Sequence, residues 1–471
     1  MSKRKEITIS PTTRIEGHAK VTVVLDEAGN VSDAYFYATE IRGFDYFLKG
    51  MEADRLPFII SRICGVCSTA HIIASVKAIE TIYGTEITET ARKLRELLLM
   101  GQTISNHSLV SFFLTLPDFW FPPESEPGKR NIFQIMREDP ELGRKAIALR
   151  RFGADILEVV GKRDVHIFST IPGGLINPLK ENEQAQLLKR AENACTIAQE
   201  ALNLGKTLFE KNWEEFRKAG DYKTRYMAMT KNEALEFHEG PIRVIDSDGQ
   251  TFSEFDAQEY MNHVEEKSYE WTYAKFAYLK ALGWPDGIVQ VGPAARMNAN
   301  KKVATEVAGG SAEEFKKRFG HPSHATLLLD YARLIELMYA CERAKELLED
   351  QHITKTDTRV KVKSRGGTGI GVVEAPRGTL AHEYTLTRDG KLKSMRLIIP
   401  TQVNNAAINL NVKDAAAEFI HQGDIRPGLL NKVEMIIRAY DPCIKCATRQ
   451  ANAGLQVEIR DSKGGLVLAL G

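Results

Sequence analysis

Two cysteine pairs stand near opposite ends of the chain, Cys64/Cys67 and Cys443/Cys446. A C-x-x-C pair brings two thiolates within reach of one metal ion, at roughly 2.3 Å each by analogy with zinc–sulfur bonds. Two pairs offer four soft ligands, which select zinc, nickel, copper(I) or iron–sulfur centres. Zinc ribbons close over short intervals, about 12 to 20 residues between pairs. Here almost the whole chain lies between them. A structural zinc clip, an iron–sulfur or other redox metal, and thioredoxin-like chemistry all stay open on spacing alone. The last lacks the βαβ context that it needs.

The elements that must bring these pairs together are legible in outline. Residues 5–40 read as strands, with KEITISP followed by two β-rich runs around a turn at Glu27–Asn30. From about 52 to 218 the pattern is helical, with long helices expected over Glu89–Leu116 and Glu181–Lys218. Residues 240–256 read as a hairpin turning at Asp248-Gly249, and Ser323–Asp350 as another long helix. Strands are expected again over 358–398, with a turn at Asp389-Gly390. A helix over Leu429–Tyr440 delivers the second cysteine pair, and 450–471 alternates like a strand with a turn at Asp461–Gly465. The fold class expected is α+β: a mainly helical body with small β-hairpin appendages at the N-terminus and near the C-terminus. Residues 1–449 read as a single domain.

Composition narrows the classes of function. The chain has 471 residues, with 63 basic residues against 62 acidic and 11 histidines. No basic field points to nucleic acid, and no polybasic patch points to a membrane surface. No run of about 18 apolar residues occurs, and the N-terminus MSKRKEITIS lacks the apolar stretch of a secretory signal. A cytoplasmic location is expected, where thiols stay reduced.

The residues around the cysteines are more specific. Arg62-Ile63-Cys64-Gly65-Val66-Cys67, Asp441-Pro442-Cys443-Ile444-Lys445-Cys446 and an early Arg14-Ile15-Glu16-Gly17-His18 occur together, in that arrangement and near the two ends. This set resembles the signatures of nickel–iron hydrogenase large (catalytic) subunits, over essentially the whole chain. The stretch 105–118 (SNHSLVSFFLTLPD) looks most like the soluble, cofactor-linked branch of that family.

The resemblance implies reversible oxidation of dihydrogen to protons and electrons at a nickel–iron centre whose iron carries cyanide and carbon monoxide. It makes Cys64 and Cys443 terminal nickel ligands, with Cys67 and Cys446 bridging to iron. Cys443 would be the base that takes the first proton, and Glu16 the next relay. Ala375-Pro376-Arg377-Gly378 resembles the segment covering the metals. There Arg377 would donate to a cyanide through its planar fork, and Asp118 and Asp441 would hold it. Pro376 would lie in that cover, and Pro400-Thr401 would contact the other cyanide. Read alone, Glu16 could be a turn residue paired with Arg14, and Asp118 a helix-end cap.

Partners follow from the same likeness. Four cysteines are committed and the other two are isolated, so electrons must leave through an iron–sulfur small subunit. Diaphorase-type or reductase subunits would carry them to a soluble acceptor, NAD(P) or ferredoxin favoured. The family commonly binds magnesium below the centre, but Asp45 and Arg449 stand where ligands are usual. Arginine cannot ligate a cation, so an Asp45–Arg449 ion pair is expected in its place. Residues 450–471 match the extension that a maturation endopeptidase removes. Two rivals stay in view, a metal-free proton-coupling relative from a respiratory complex and a zinc-clipped structural protein.

Other signals carry less. Cys195 and Cys341 read as buried inert thiols inside helices. The run Gly366–Gly371 lacks the spacing of a nucleotide-binding motif and reads as a flexible loop leading to Arg377. His71 and His382 read as local hydrogen-bonding groups, and Lys361–Arg365 as a solvated face.

Overall fold

The computed structural model describes residues 5–41 and 43–448, together with the backbone of the strands Val457–Arg460 and Leu466–Leu470. The expected mainly helical α+β architecture is what it shows. Lys5–Ile9, Ala19–Leu25 and Val31–Ala38 form an antiparallel meander. Val21, Val23 and Leu25 alternate into the core while Lys20 and Thr22 face away, which is the period that two-residue strand geometry demands. The turn is closed by Asp26, which accepts the Asn30 amide at 2.8 Å.

Among the described residues, long helices make the body: Ser68–Tyr83, Glu89–Ser108, Pro140–Gly161, Glu181–Phe216, Leu328–Glu349 and Pro400–Phe419. Thr88 caps the second by accepting the Ala91 amide at 3.1 Å. That helix does not run unbroken to Leu116. It widens into a π-helical turn over Leu109–Thr115 and resumes over Leu116–Trp120, with Pro117, which has no amide hydrogen, at the start of the new segment. Two glycines let neighbouring helices touch at backbone level. A Cβ on Gly153 would lie 2.5 Å from the Gly101 carbonyl oxygen.

The hairpin over 240–256 is present as Ile242–Ile245 and Thr251–Phe255, but it is part of a larger sheet. Arg225–Lys231 pairs with Ile242–Ile245 antiparallel and with Val289–Gln290 in parallel. A separate three-stranded sheet runs Gly367–Ala375, Gly378–Leu386, Leu392–Ile398. The glycine run is therefore strand, not a flexible loop. Its glycines allow contact between backbones: a Cβ at Gly371 would lie 2.1 Å from the Ala74 carbonyl oxygen, and one at Gly369 2.5 Å from that of Ala78. The sheet thus lies directly on the helix that follows Cys67.

Helix Pro400–Phe419 was not anticipated, because nearly all of its first half is buried and it shows no amphipathic stripe. Pro427–Ala439 then leads to the second cysteine pair. Beyond it, Val457–Arg460 and Leu466–Leu470 pair antiparallel, as the alternation there predicted. Residues 461–465, where the turn was placed, lie outside the described residues.

Candidate metal centre

Local structure sets each cysteine. A 3-10 turn at Ser61–Ile63 ends on Cys64, and Cys67 caps the N-terminus of helix Ser68–Tyr83. At the other end Asp441 adopts a left-handed φ of 49°, a conformation that Asp tolerates better than most residues. With Pro442 it turns the chain sharply out of helix Pro427–Ala439 and presents Cys443 and Cys446. All four thiols are buried, and their sulfurs lie within 4.8 Å of one another. Cys67 and Cys446 are 3.3 Å apart, Cys64 and Cys443 3.4 Å, Cys443 and Cys446 2.9 Å. Among the described residues this is the one cluster of His, Cys, Asp and Glu able to hold a metal ion.

Glu16 joins the cluster through its backbone and its side chain. Its backbone bridges to Cys443, with the Ile444 amide donating to its carbonyl at 3.0 Å. Its carboxylate accepts from the Cys443 thiol at 3.1 Å and from the Lys445 amide at 3.2 Å. Burial first, and then the Cys64 thiolate, raise its pKa above the usual carboxylate value. The other oxygen faces the half-exposed Lys445 amine at 3.5 Å.

Arg377 covers the cluster. Its Nε donates to the Asp441 carbonyl oxygen at 2.5 Å and its Nη2 to Asp441 Oδ1 at 2.8 Å. Burial alone would lower its pKa, but Asp441 and the cysteine sulfurs raise it far above the ordinary value. Its Nη1 is buried without a hydrogen-bond acceptor. Thr401 accepts the Cys443 amide at 3.0 Å through its hydroxyl oxygen, which leaves the hydroxyl proton free to be given elsewhere. Pro400 starts helix Pro400–Phe419, and Pro376 sits beside Arg377 in the cover.

Asp118 does not hold Arg377. Its carboxylate accepts from Arg14 at 2.5 Å, from Arg438 at 2.8 and 3.1 Å and from Asn431 at 3.2 Å. Burial opposes its ionisation, but Arg438 and Arg14 outweigh that and keep its pKa below the usual value. The residue that supports the Arg377–Asp441 pair from this segment is Asn106, whose Nδ2 donates to Asp441 Oδ2 at 3.1 Å. Sequence reasoning missed it because an amide in a helix carries no charge signal. Asp118 had been assigned to Arg377 only by the resemblance, and no local feature of the sequence tests that pairing.

The histidines do bond to other side chains. His71 Nδ1 meets His382 Nε2 at 3.0 Å, and His382 continues to Tyr384 and Ser75. Cys195 and Cys341 lie in helices Glu181–Phe216 and Leu328–Glu349, and burial pushes the Cys195 thiol up to about 11. Asp45 is half-buried. Arg449, its expected partner, lies outside the described residues.

The donor set fits a nickel–iron centre on three counts. Four sulfurs this close in a buried site cannot all be ionised without cationic charge between them. A guanidinium N–H is left without an acceptor beside them, and the hydroxyl proton of Thr401, which accepts the Cys443 amide, is available too.

The chain matches the family description "HoxL-like" over residues 6–41 and "Nickel-dependent hydrogenase" over 42–120 and 145–449. Over 448 residues, 94% of each chain, it is 38% identical to a chain of the F420-non-reducing hydrogenase vhc of Methanococcus voltae. It is 33% identical to the NAD-reducing hydrogenase HoxS subunit beta of Cupriavidus necator, over 98% of this chain and 99% of that one. A solved NAD+-reducing [NiFe]-hydrogenase in the H2-reduced state superposes with a TM-score of 0.92 at 34% identity, covering 94% of this chain and 99% of that one. The [NiFeSe]-hydrogenase of Dm. baculatum, at 22% identity and a TM-score of 0.78, shares the fold.

Proposed function

The chain belongs to the nickel-dependent hydrogenase family as a large subunit of nickel–iron type, and we propose that it splits and forms dihydrogen at a nickel–iron centre held by Cys64, Cys67, Cys443 and Cys446. The observation that carries this reading is the convergence of four buried sulfurs from the two chain ends within 4.8 Å, beside an arginine donor without an acceptor.

Cys64 and Cys443 would hold the nickel alone. Cys67 and Cys446, one from each end of the chain, would hold nickel together with an iron that carries cyanide and carbon monoxide. When bound, the centre supplies the redox couple and the open coordination position that heterolytic cleavage of dihydrogen needs. The protein moves the proton. The Cys443 sulfur takes it and passes it over 3.1 Å to Glu16. The raised pKa of Glu16 brings this carboxyl closer to working pH, where a relay group is most effective. From Glu16 the proton leaves along the side of Lys445. Arg377 Nη1 and the Thr401 hydroxyl are the donors for the two cyanides, and Asp441 with Asn106 fixes Arg377.

Electrons leave through an iron–sulfur small subunit to a soluble acceptor, NAD(P) or ferredoxin, with diaphorase-type or reductase subunits between. No described helix is long and apolar enough to cross a membrane, and we place the complex in the cytoplasm. A maturation endopeptidase removes residues 450–471, so active enzyme analysed by mass spectrometry ends at Arg449. Full-length chain with full activity would overturn that point. Neither the zinc clip nor the metal-free relative is favoured by any observation at the site.

Metal analysis with infrared spectroscopy tests the centre: nickel and iron in equal amounts, with cyanide and carbon monoxide bands, are expected. Zinc alone, with no such bands, sinks the proposal. For the relay, Glu16→Gln should lower hydrogen oxidation by about 10²- to 10⁴-fold while leaving those bands in place.

A further inference from the structure

The strands Gly367–Ala375 and Gly378–Leu386 pair down to Ala375 opposite Gly378, so Pro376–Arg377 is a two-residue turn. Favoured two-residue hairpin turns need a positive φ at their first central residue, because only then does the turn follow the twist of its strands. The proline ring holds φ near −65°, and neither Pro376 nor Arg377 is left-handed. This turn must therefore be held from outside.

Arg296, on the helix Pro293–Ala299, does so. Its Nη1 donates to the Ala375 carbonyl oxygen at 3.0 Å and its Nη2 to that of Pro376 at 2.9 Å. Its other three hydrogens are taken by carboxylates: Nε and Nη2 to Glu336 at 2.6 and 2.7 Å, and Nη1 to Glu374 at 2.7 Å. All five donors of the fork are used, and the side chain has no exposure. Glu336 in turn meets His107 Nε2 at 3.0 Å, and Glu374 accepts the Thr379 hydroxyl at 2.6 Å. The start of the same helix also touches the turn, where Gly292 and Gly378 admit close backbone contact. A Cβ on Gly292 would lie 2.9 Å from the Arg377 carbonyl oxygen.

We propose that Arg296 is a positioning residue of the metal centre: through the carbonyls of Ala375 and Pro376 it fixes the turn that carries Arg377, and Glu336 and Glu374 fix Arg296. Lysine, with a point charge and three donors, cannot span two carbonyls and two carboxylates at once. The inference rests on the reading of Arg377 as the donor to an iron-bound cyanide.

The test uses metal-loaded enzyme, with Arg377→Lys as the reference for lost donation. Arg296→Lys should move the cyanide bands in the direction that Arg377→Lys moves them, by a smaller amount. It should also speed amide hydrogen exchange at 375–378 by about tenfold, with the cysteine-bearing segments unchanged. Wild-type cyanide bands together with wild-type exchange overturn the proposal. If Arg296→Lys does not fold, Glu336→Gln decides by the same two measurements, since it loosens the fork while sparing both carbonyl bonds. A wild-type enzyme lacking cyanide bands would sink the reading of the centre, and hydrogen exchange would still judge the clamp.

Discussion

Replacing Asp118 with Asn separates the two acidic residues that the sequence grouped together. In the fold, Asp118 neutralises Arg438, which has no exposure, and Arg14, which is 17% exposed. Asn keeps the shape but removes the charge from between two guanidinium groups. Taking away one partner of a buried ion pair costs about 3–5 kcal/mol. Glu434, 3.6 Å from Arg438, and the solvent available to Arg14 hold the loss near the lower end, about 3 kcal/mol. At about 2.1 cal/mol/K per residue, the unfolding entropy of a chain of this length is about 1 kcal/mol/K, so the melting temperature falls by about 3 °C. Calorimetry of metal-loaded wild type and Asp118→Asn at pH 7 measures this, with infrared spectra taken on the same samples. Asp118 makes no bond to Arg377, so the cyanide bands should not move. An unchanged melting temperature with displaced cyanide bands would refute the reasoning and return Asp118 to the cover of the centre. The pH dependence gives a second check. The folded pKa of Asp118 lies below its ordinary value of 3.8, so its contribution is complete above about pH 4 and is lost as pH falls through the folded value. The gap between wild type and variant should be flat from pH 7 to about 4 and close below.

Cys67→Ser or Cys446→Ser removes a soft ligand from a site with no fifth thiol within reach. Elemental analysis should find nickel nearly absent, and retention of stoichiometric nickel would contradict the ligand assignment. Gly371→Ala puts a methyl 2.1 Å from the Ala74 carbonyl oxygen and 2.5 Å from the Ala78 amide. Backbone cannot yield as a side chain can, so the loss should be about 3 kcal/mol or more, measured by chemical denaturation. Lys77 donates to the carbonyls of His238 and Val372, and burial lowers its pKa from 10.5 to about 8. The unfolded chain therefore binds more protons between those values, and wild type should gain stability relative to Lys77→Met as pH rises from 8 to 10.5. Lys77 lines a cleft with Glu80, Arg92 and Glu239, and with that partial access to water the gain should be about 2 kcal/mol. A wild-type midpoint that falls relative to the variant's over this range would show the opposite sign.

By itself the sequence showed the two cysteine pairs, the N-terminal meander, the long helices other than Pro400–Phe419 and the hairpin that turns at Asp389-Gly390. Those features are written in residue type and period, which act locally. Cys64, Cys67, Cys443 and Cys446 announce themselves by chemistry, and Val21, Val23 and Leu25 by alternation. Where burial is all-round, as in Pro400–Phe419, no period remains to be read. Only the tertiary structure decided which polar groups meet. It gave Asp118 to Arg14 and Arg438, gave Asn106 to Asp441, turned a glycine run into a strand lying on a helix, and set Arg296 behind Arg377. Charges and amides far apart in the chain find partners only when packing fixes distances of about 3 Å, and nothing local in the sequence encodes those distances.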